Sequence, residues 1–250
     1  MFNASWQRGV GVKTLSVIIP VYNEEERIRE NLEETLKSLE EVGHEFEVIV
    51  VSDGSSDSTV KEAKKVRDPR IKIYKYEKNM GKGFAIKYGF SKSRGDAIIF
   101  LDGDMEIHPR QLKLYIDTMK KTGADIVIGS KRHPQSVVNY PFKRVFLSTC
   151  YQLLNKLLFN LNVTDTQAGL KLFKRKVLEE ILPKVLVKKY AFDLELLVNA
   201  NYRNYRIVEA PIKINFNLNS HVGLKNILNI FLDTCAIFYR LRILKYYQRR

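Results

Sequence analysis

Hydrophobic positions along this chain fall into two alternating kinds of run. LSVIIPV (15–21), EVIVVSD (47–53), IKIYKY (71–76), AIIFLD (97–102) and ADIVIG (124–129) are short and rich in β-branched residues, as expected of strands buried on both faces. Between them, apolar residues recur every three or four positions. In NEEERIRENLEETLKSLEEV these are Ile28, Leu32, Leu36, Leu39 and Val42, one stripe of an amphipathic helix. Asn23 and Glu26 are spaced as a capping box, and Gly43 ends the segment. Further helices are expected over Asp57–Val66, GFAIKYGFSKS and RQLKLYIDTMKKTG, the last opened by His108 with Pro109 at its first position. Alternation of strand and helix at these intervals predicts an α/β fold with a mostly parallel central sheet and helices on both faces.

From about residue 140 the rhythm changes. VFLSTCYQLLNKLLFNLNV predicts a long apolar helix, TDTQAGLKLF a turn and a short strand, FDLELLVNANYRNY a helix and RIVEAPIKINF an extended segment. LKNILNIFLDTCAIFYRLRILKYYQRR predicts a long C-terminal amphipathic helix with a basic end. The expected organisation is a polar leader (1–14), one catalytic domain (15–220) and a C-terminal helix (221–250).

Composition adds a constraint on partners. The 250 residues are 45% hydrophobic, enough for a sizeable core, and 42 Lys and Arg against 28 Asp and Glu leave a net charge of +14, which favours an anionic partner. Nucleic acid is not expected, because the basic residues are dispersed and no nucleic-acid-binding motif occurs. Cys150 and Cys235 both lie in apolar stretches and are expected as buried free thiols rather than a disulfide framework. Neither a cleaved signal nor a spanning helix is expected.

In an open parallel sheet, ligands bind beyond the carboxyl ends of the strands. Asp53 and Asp102 close two such strands. Asp102, Asp104 and Glu106 alternate, so in an extended segment they would point the same way and offer oxygen ligands to Mg²⁺ or Mn²⁺. A solvated Asp-Gly turn is the competing explanation of the same residues. Gly81-Lys82-Gly83 lacks the spacing of a P-loop, and no G-x-G-x-x-G follows the first strand.

VIIPVYNEEE, VVSDGSSDST, NMGKGFAIKYGF, FLDGDMEIHP, GSKRH, DTQAGLKLF and FDLELL occur in order over residues 15 to 235. Together they resemble the family 2 glycosyltransferases of GT-A fold, most closely those that use dolichyl or another polyprenyl phosphate as acceptor. The resemblance implies that Pro20, Tyr22, Asn23, Glu24, Asp53, Lys82 and Gly103 border the nucleotide. It also implies that Asp102 and Asp104, with Glu106, hold the divalent cation on the diphosphate. Lys131, where the family has an Arg, and Arg132 beside it would act on the acceptor phosphate in catalysis. Asp165, Gln167, Asp193, Glu195 and Lys225 would stand near sugar and acceptor, although the segment leading to Lys225 departs from the family's Gly-Ser-Lys element.

The implied reaction is an inverting transfer of a hexose from UDP-glucose or GDP-mannose to a polyprenyl phosphate at the cytoplasmic face of a membrane. A phosphate acceptor is already largely dianionic near neutral pH, its second pKa being about 6. It therefore requires positioning and screening, not deprotonation. A sugar-hydroxyl acceptor would instead need a base, with Asp165 or Glu195 the candidates. The segments VFLSTCYQLLNKLLF and NILNIFLDTCAIFYRLRIL are apolar enough to lie in a membrane interface, the second running into Arg240, Arg242, Lys245, Arg249 and Arg250.

Overall fold

A computed structural model of the chain describes residues 12–138, 142–189, 191–214 and 224–248. Its first half alternates strand and helix: β1 (Thr14–Val21), α1 (Ile28–Val42), β2 (Glu45–Asp53), α2 (Thr59–Ala63), β3 (Ile71–Tyr76), α3 (Lys82–Lys92), β4 (Ala97–Leu101), α4 (Leu112–Thr122) and β5 (Ile126–Ser130). The second half comprises α5 (Phe142–Phe159), β6 (Leu170–Lys174), α6 (Arg175–Ile181), α7 (Phe192–Tyr202), β7 (Ile207–Pro211) and α8 (Leu224–Phe238). The strands form one sheet in the order β3-β2-β1-β4-β6-β5-β7. All neighbours are parallel except β6, which runs antiparallel to both β4 and β5.

The continuous apolar runs are explained by this layering. Successive strand residues point to opposite faces. Ile18 therefore enters one core, with α3, α6 and α7, while Val17 and Ile19 enter the other, with α1 and α4. Both faces are covered, so both sets of positions must be apolar.

Local expectations fare unequally. Gly43 ends α1 in a left-handed conformation at φ 74°, and the His108 ring accepts from the Arg110 amide at the turn before α4. The capping box does not form. Helix α1 starts at Ile28 after a turn, because the Asn23 carboxamide is committed to the Ser56 amide at 2.9 Å. The C-terminal helix is not continuous either. It gives way to a wide π-turn over Tyr239–Ile243, Lys245 is left-handed at φ 48°, and Tyr246–Gln248 form a short 3-10 turn. That reversal buries Ile237, Leu241 and Tyr247 in the core shared with α6 and α7. Cys150 and Cys235, expected to be buried, are both exposed, since each lies on the outward side of its helix.

Candidate active site

The carboxyl ends of β1, β2 and β4 meet at one edge of the sheet. There a cavity of about 800 Å³ is lined by Pro20, Tyr22, Glu24, Asp53, Lys82, Gly103, Asp104 and Gln167, among others, a size that suits a drug-sized or nucleotide-sized ligand. The loop after β1 is held by the loop after β2. The backbone amide of Asn23, a residue left-handed at φ 54°, donates to Ser55 Oγ at 3.1 Å, and the Glu24 amide donates to Thr59 Oγ1 at 2.7 Å. Asp53 is 4% exposed. Its carboxylate accepts from Tyr76 Oη (2.8 Å), the Met80 amide (2.7 Å) and the Gly81 amide (2.9 Å), so its visible task is to shape the loop that delivers Lys82.

Beneath the cavity runs a ladder of alternating charge. Lys82 Nζ lies 2.7 Å from Asp102 Oδ1 and 3.6 Å from Asp193 Oδ2, and the other oxygen of Asp193 pairs with Lys171 Nζ at 2.7 Å. Burial by itself would lower the Lys82 ammonium, but Asp102 and Asp193 outweigh it and raise its pKa. Burial would likewise raise the Asp193 carboxyl, and Lys171 and Lys82 reverse this and hold it below its ordinary range. Lys171 is lowered, mainly by burial. A Cβ on Gly169 would collide with the Asp102 carboxylate, so only glycine lets the β6 approach pass this close.

The segment after Asp102 is not extended. Met105 turns left-handed at φ 57°, and Asp104 Oδ1 accepts from the Glu106 amide at 3.1 Å. Asp102, Asp104 and Glu106 still border one recess of about 50 Å³, together with Lys131 and Gln167. They do not form a three-carboxylate cage, and no such cluster exists among the described residues. Burial, then the charge of Asp102, pushes the Asp104 carboxyl up to about 6. A half-caged pair of carboxylates whose mutual repulsion Lys82 relieves only in part fits Mg²⁺ or Mn²⁺, which commonly take one or two carboxylates and leave the remaining positions to substrate phosphate and water.

The remaining expected residues separate. Asp165 is buried and accepts from Lys131 Nζ (2.9 Å), the Lys131 amide (3.1 Å) and the Gln167 amide (2.9 Å). Burial would raise its carboxyl, but Lys131 prevails and its pKa is lowered. Asp193 and Gln167 reach the cavity. Glu195 does not: two residues further along α7 a side chain points away from Asp193. Its carboxylate, 0% exposed, accepts from the Leu186 and Val187 amides and Tyr247 Oη and forms an ion pair with the Arg240 guanidinium. Arg132 also turns aside, donating to Thr164 O at 2.8 Å and Ser148 Oγ at 2.9 Å, which ties α5 to the 164–166 loop. Lys225 opens α8, and its side chain lies outside the described residues. Sequence reasoning missed Asn79, Lys189 and Asn229, which also line the cavity. Lys189 stands three residues before FDLELL, close enough to be suspected, whereas nothing near Asn229 marks it.

The profile of glycosyl transferase family 2 matches residues 16–182. The glycosyltransferase AglD of Haloferax volcanii is 31% identical over 202 residues, covering 79% of this chain and 32% of that protein. Dolichyl-phosphate beta-glucosyltransferase ALG5A of Trichomonas vaginalis is 34% identical over 254 residues, covering 94% of this chain and 77% of that protein. The chain thus spans about a third of the first relative and about three quarters of the second. Glucosyl-3-phosphoglycerate synthase from Mycobacterium tuberculosis, crystallised with Mn²⁺, UDP-glucose and phosphoglyceric acid, superposes with a TM-score of 0.68 at 19% identity, covering 91% of this chain and 79% of that one. The crystal structure supports likeness of fold alone; the profile, matching residues 16–182 and so most of the chain, carries the assignment further: this chain belongs to glycosyl transferase family 2.

Proposed function

We propose that the chain transfers a hexose, with inversion, from a nucleotide sugar to dolichyl or another polyprenyl phosphate. The observation that carries this reading is the cavity at the sheet edge, where Asp102, Asp104, Lys82 and Asp193 converge beside the loops of β1 and β2. Nucleotide base and ribose lie against Pro20, Tyr22, Asn23, Glu24 and Asp53, with the diphosphate toward Asp102-Gly103-Asp104. The relatives named dolichyl-phosphate beta-glucosyltransferases favour glucose over mannose as the sugar and dolichyl phosphate as the acceptor.

A phosphate oxygen of the acceptor forms the new bond to the anomeric carbon as the bond from that carbon to the donor's β-phosphate oxygen breaks. The electron pair leaves with the nucleoside diphosphate. Asp102 and Asp104, with Glu106 at the border of the same recess, would hold a divalent cation, which when bound supplies Lewis-acid stabilisation of the departing charge. Lys82, between Asp102 and Asp193, adds a fixed positive charge at the same place, and such preorganised charges stabilise a transition state without reorganisation. Lys131 and Asp165 hold each other beside the sugar end, where Gln167 also reaches.

A sugar-hydroxyl acceptor is supported less well. Of its two candidate bases, Glu195 is buried away from the cavity and saturated with donors, and Asp165 is neutralised by Lys131.

The membrane reading draws on α8 and α5. Leu228, Phe231, Leu232, Tyr239 and Ile243 are exposed at successive spacings of three, one, seven and four along α8 and its π-turn, a single apolar stripe. Leu147, Leu153 and Leu157, the last 82% exposed, project from α5. Arg242 and Lys245 are exposed beside the stripe, whereas Arg240 is committed to Glu195 and Arg249 and Arg250 lie outside the described residues. No helix among the described residues is long and apolar enough to cross a membrane, and this stripe suits interfacial contact at the cytoplasmic face.

The test is incubation with each radiolabelled nucleotide sugar, with and without dolichyl phosphate and Mn²⁺. Organic-extractable label that requires both is expected, and none with any donor rejects the acceptor assignment.

A further inference from the structure

Four lysines stand in or beneath the cavity, and three of them are already neutralised. Lys82 pairs with Asp102, Lys131 with Asp165 and Lys171 with Asp193. Lys189 lines the cavity but its ammonium has no hydrogen bond or ion pair among the described residues. Its backbone is nevertheless well placed. The Lys189 carbonyl accepts from the Phe192 amide at 3.2 Å, and the neighbouring Lys188 carbonyl accepts from the Gly83 amide at 2.8 Å. Gly81 keeps the space open, because a Cβ there would meet the Lys188 carbonyl at 2.5 Å and Lys189 Cγ at 2.9 Å.

Lys189 also faces α8. Burial pushes the Asp233 carboxyl up, and Arg240 and then Lys189 pull against that shift, so the Lys189 charge is felt on the helix across the cleft. Asn229 of the same helix lines the cavity beside Lys189, while its neighbours Leu228, Phe231 and Leu232 form the exposed apolar stripe. At this mouth an exposed cation and an apolar track are continuous. A ligand with an anionic head and a hydrocarbon tail matches both halves, whereas a free sugar or a peptide matches neither.

We propose that Lys189 receives the phosphate of the lipid acceptor, whose polyprenyl chain leaves the cavity over Leu228, Phe231 and Leu232. This rests on the polyprenyl-phosphate reading above and moves the acceptor cation from Lys131 and Arg132, both engaged within the protein, to a residue held in reserve. An exposed ammonium with no ion pair among the described residues forms a charge-assisted bond to phosphate without breaking one of them.

The experiment measures binding of farnesyl phosphate, farnesol and UDP with Mn²⁺ to the full chain by calorimetry, for the wild type, Lys189→Gln and Lys189→Arg. Expected is at least a tenfold loss of farnesyl phosphate affinity in Lys189→Gln, retained largely in Lys189→Arg, with farnesol weak and equal throughout and UDP changed less than threefold. A second variant, Leu232→Ser at an exposed position, should weaken farnesyl phosphate severalfold without changing UDP. Equal farnesyl phosphate affinity in the wild type and Lys189→Gln overturns the proposal, as does a parallel loss of UDP, which would assign Lys189 to the donor. If the wild type makes labelled lipid normally while Lys189→Gln binds farnesyl phosphate unchanged, only this subsite fails; if the wild type makes no labelled lipid with any donor, the function itself fails.

Discussion

Asp102 and Asp104 differ by two positions yet do different things. Asp102 is balanced by Lys82 at 2.7 Å, while Asp104 carries a charge that Lys82 relieves only in part, its pKa raised to about 6 by burial and by Asp102. Asp104→Ala should therefore reduce turnover by at least ~100-fold with an unaltered circular dichroism spectrum, and near-normal rates would remove it from the reaction. Asp165 makes a different prediction. Its folded pKa is depressed, because the Lys131 charge outweighs burial. Its contribution to stability is then present above the unfolded value of about 4 and is lost as pH falls through the folded pKa. Asp165→Asn should lower the urea midpoint at pH 7, and the gap to wild type should close below about pH 4. A gap that stays constant with pH would show that the ion pair adds nothing. The types and order of these residues were legible in the sequence. Which carboxylate finds which lysine was not, because the partners lie on different elements: Lys82 on α3, Asp193 on α7 and Lys171 on β6.

At the scale of elements, α7 is shared between function and architecture. Its Asp193 belongs to the cavity wall, and its Glu195, on the other side, collects the Leu186 and Val187 amides, Tyr247 Oη and Arg240. The chain reversal after α8 brings Tyr247 Oη to this carboxylate, and the Tyr247 carbonyl also accepts from Arg203 at 3.2 Å. Loss of a bond to a buried charged group costs roughly 2 kcal/mol. Tyr247→Phe should consequently lower Tm by about 4–8 °C in a thermal melt while leaving donor binding intact; an unchanged Tm would mean the C-terminal turn is not anchored there. Periodicity located α8 correctly, since spacing of apolar residues is local information. It could not show that the helix stops at Phe238, because the π-turn has no local signal and follows from where Glu195 lies. The failed capping box has the same origin, with Asn23 drawn to the loop after β2.

Across the whole molecule, the sheet order brings the ends of β1, β2 and β4 to one edge and leaves the stripes of α5 and α8 uncovered among the described residues. The interface reading predicts that the chain cosediments with vesicles containing anionic lipid, and that Phe231→Ser combined with Leu232→Ser lowers the bound fraction at least fivefold with no fall in Tm, both side chains being exposed. Equal binding by both proteins would refute α8 as the contact. Sequence alone determined the strand and helix alternation, the two-faced burial of the sheet and the set of acidic residues at its rim, because these depend on spacing between near neighbours and on side-chain chemistry. Tertiary structure alone decided that β6 enters antiparallel, that Arg132 and Glu195 turn from the cavity, that the cysteines face outward and that Lys189 has no ion pair among the described residues. Each of these depends on distances between residues far apart in the chain, which packing sets and no local pattern encodes.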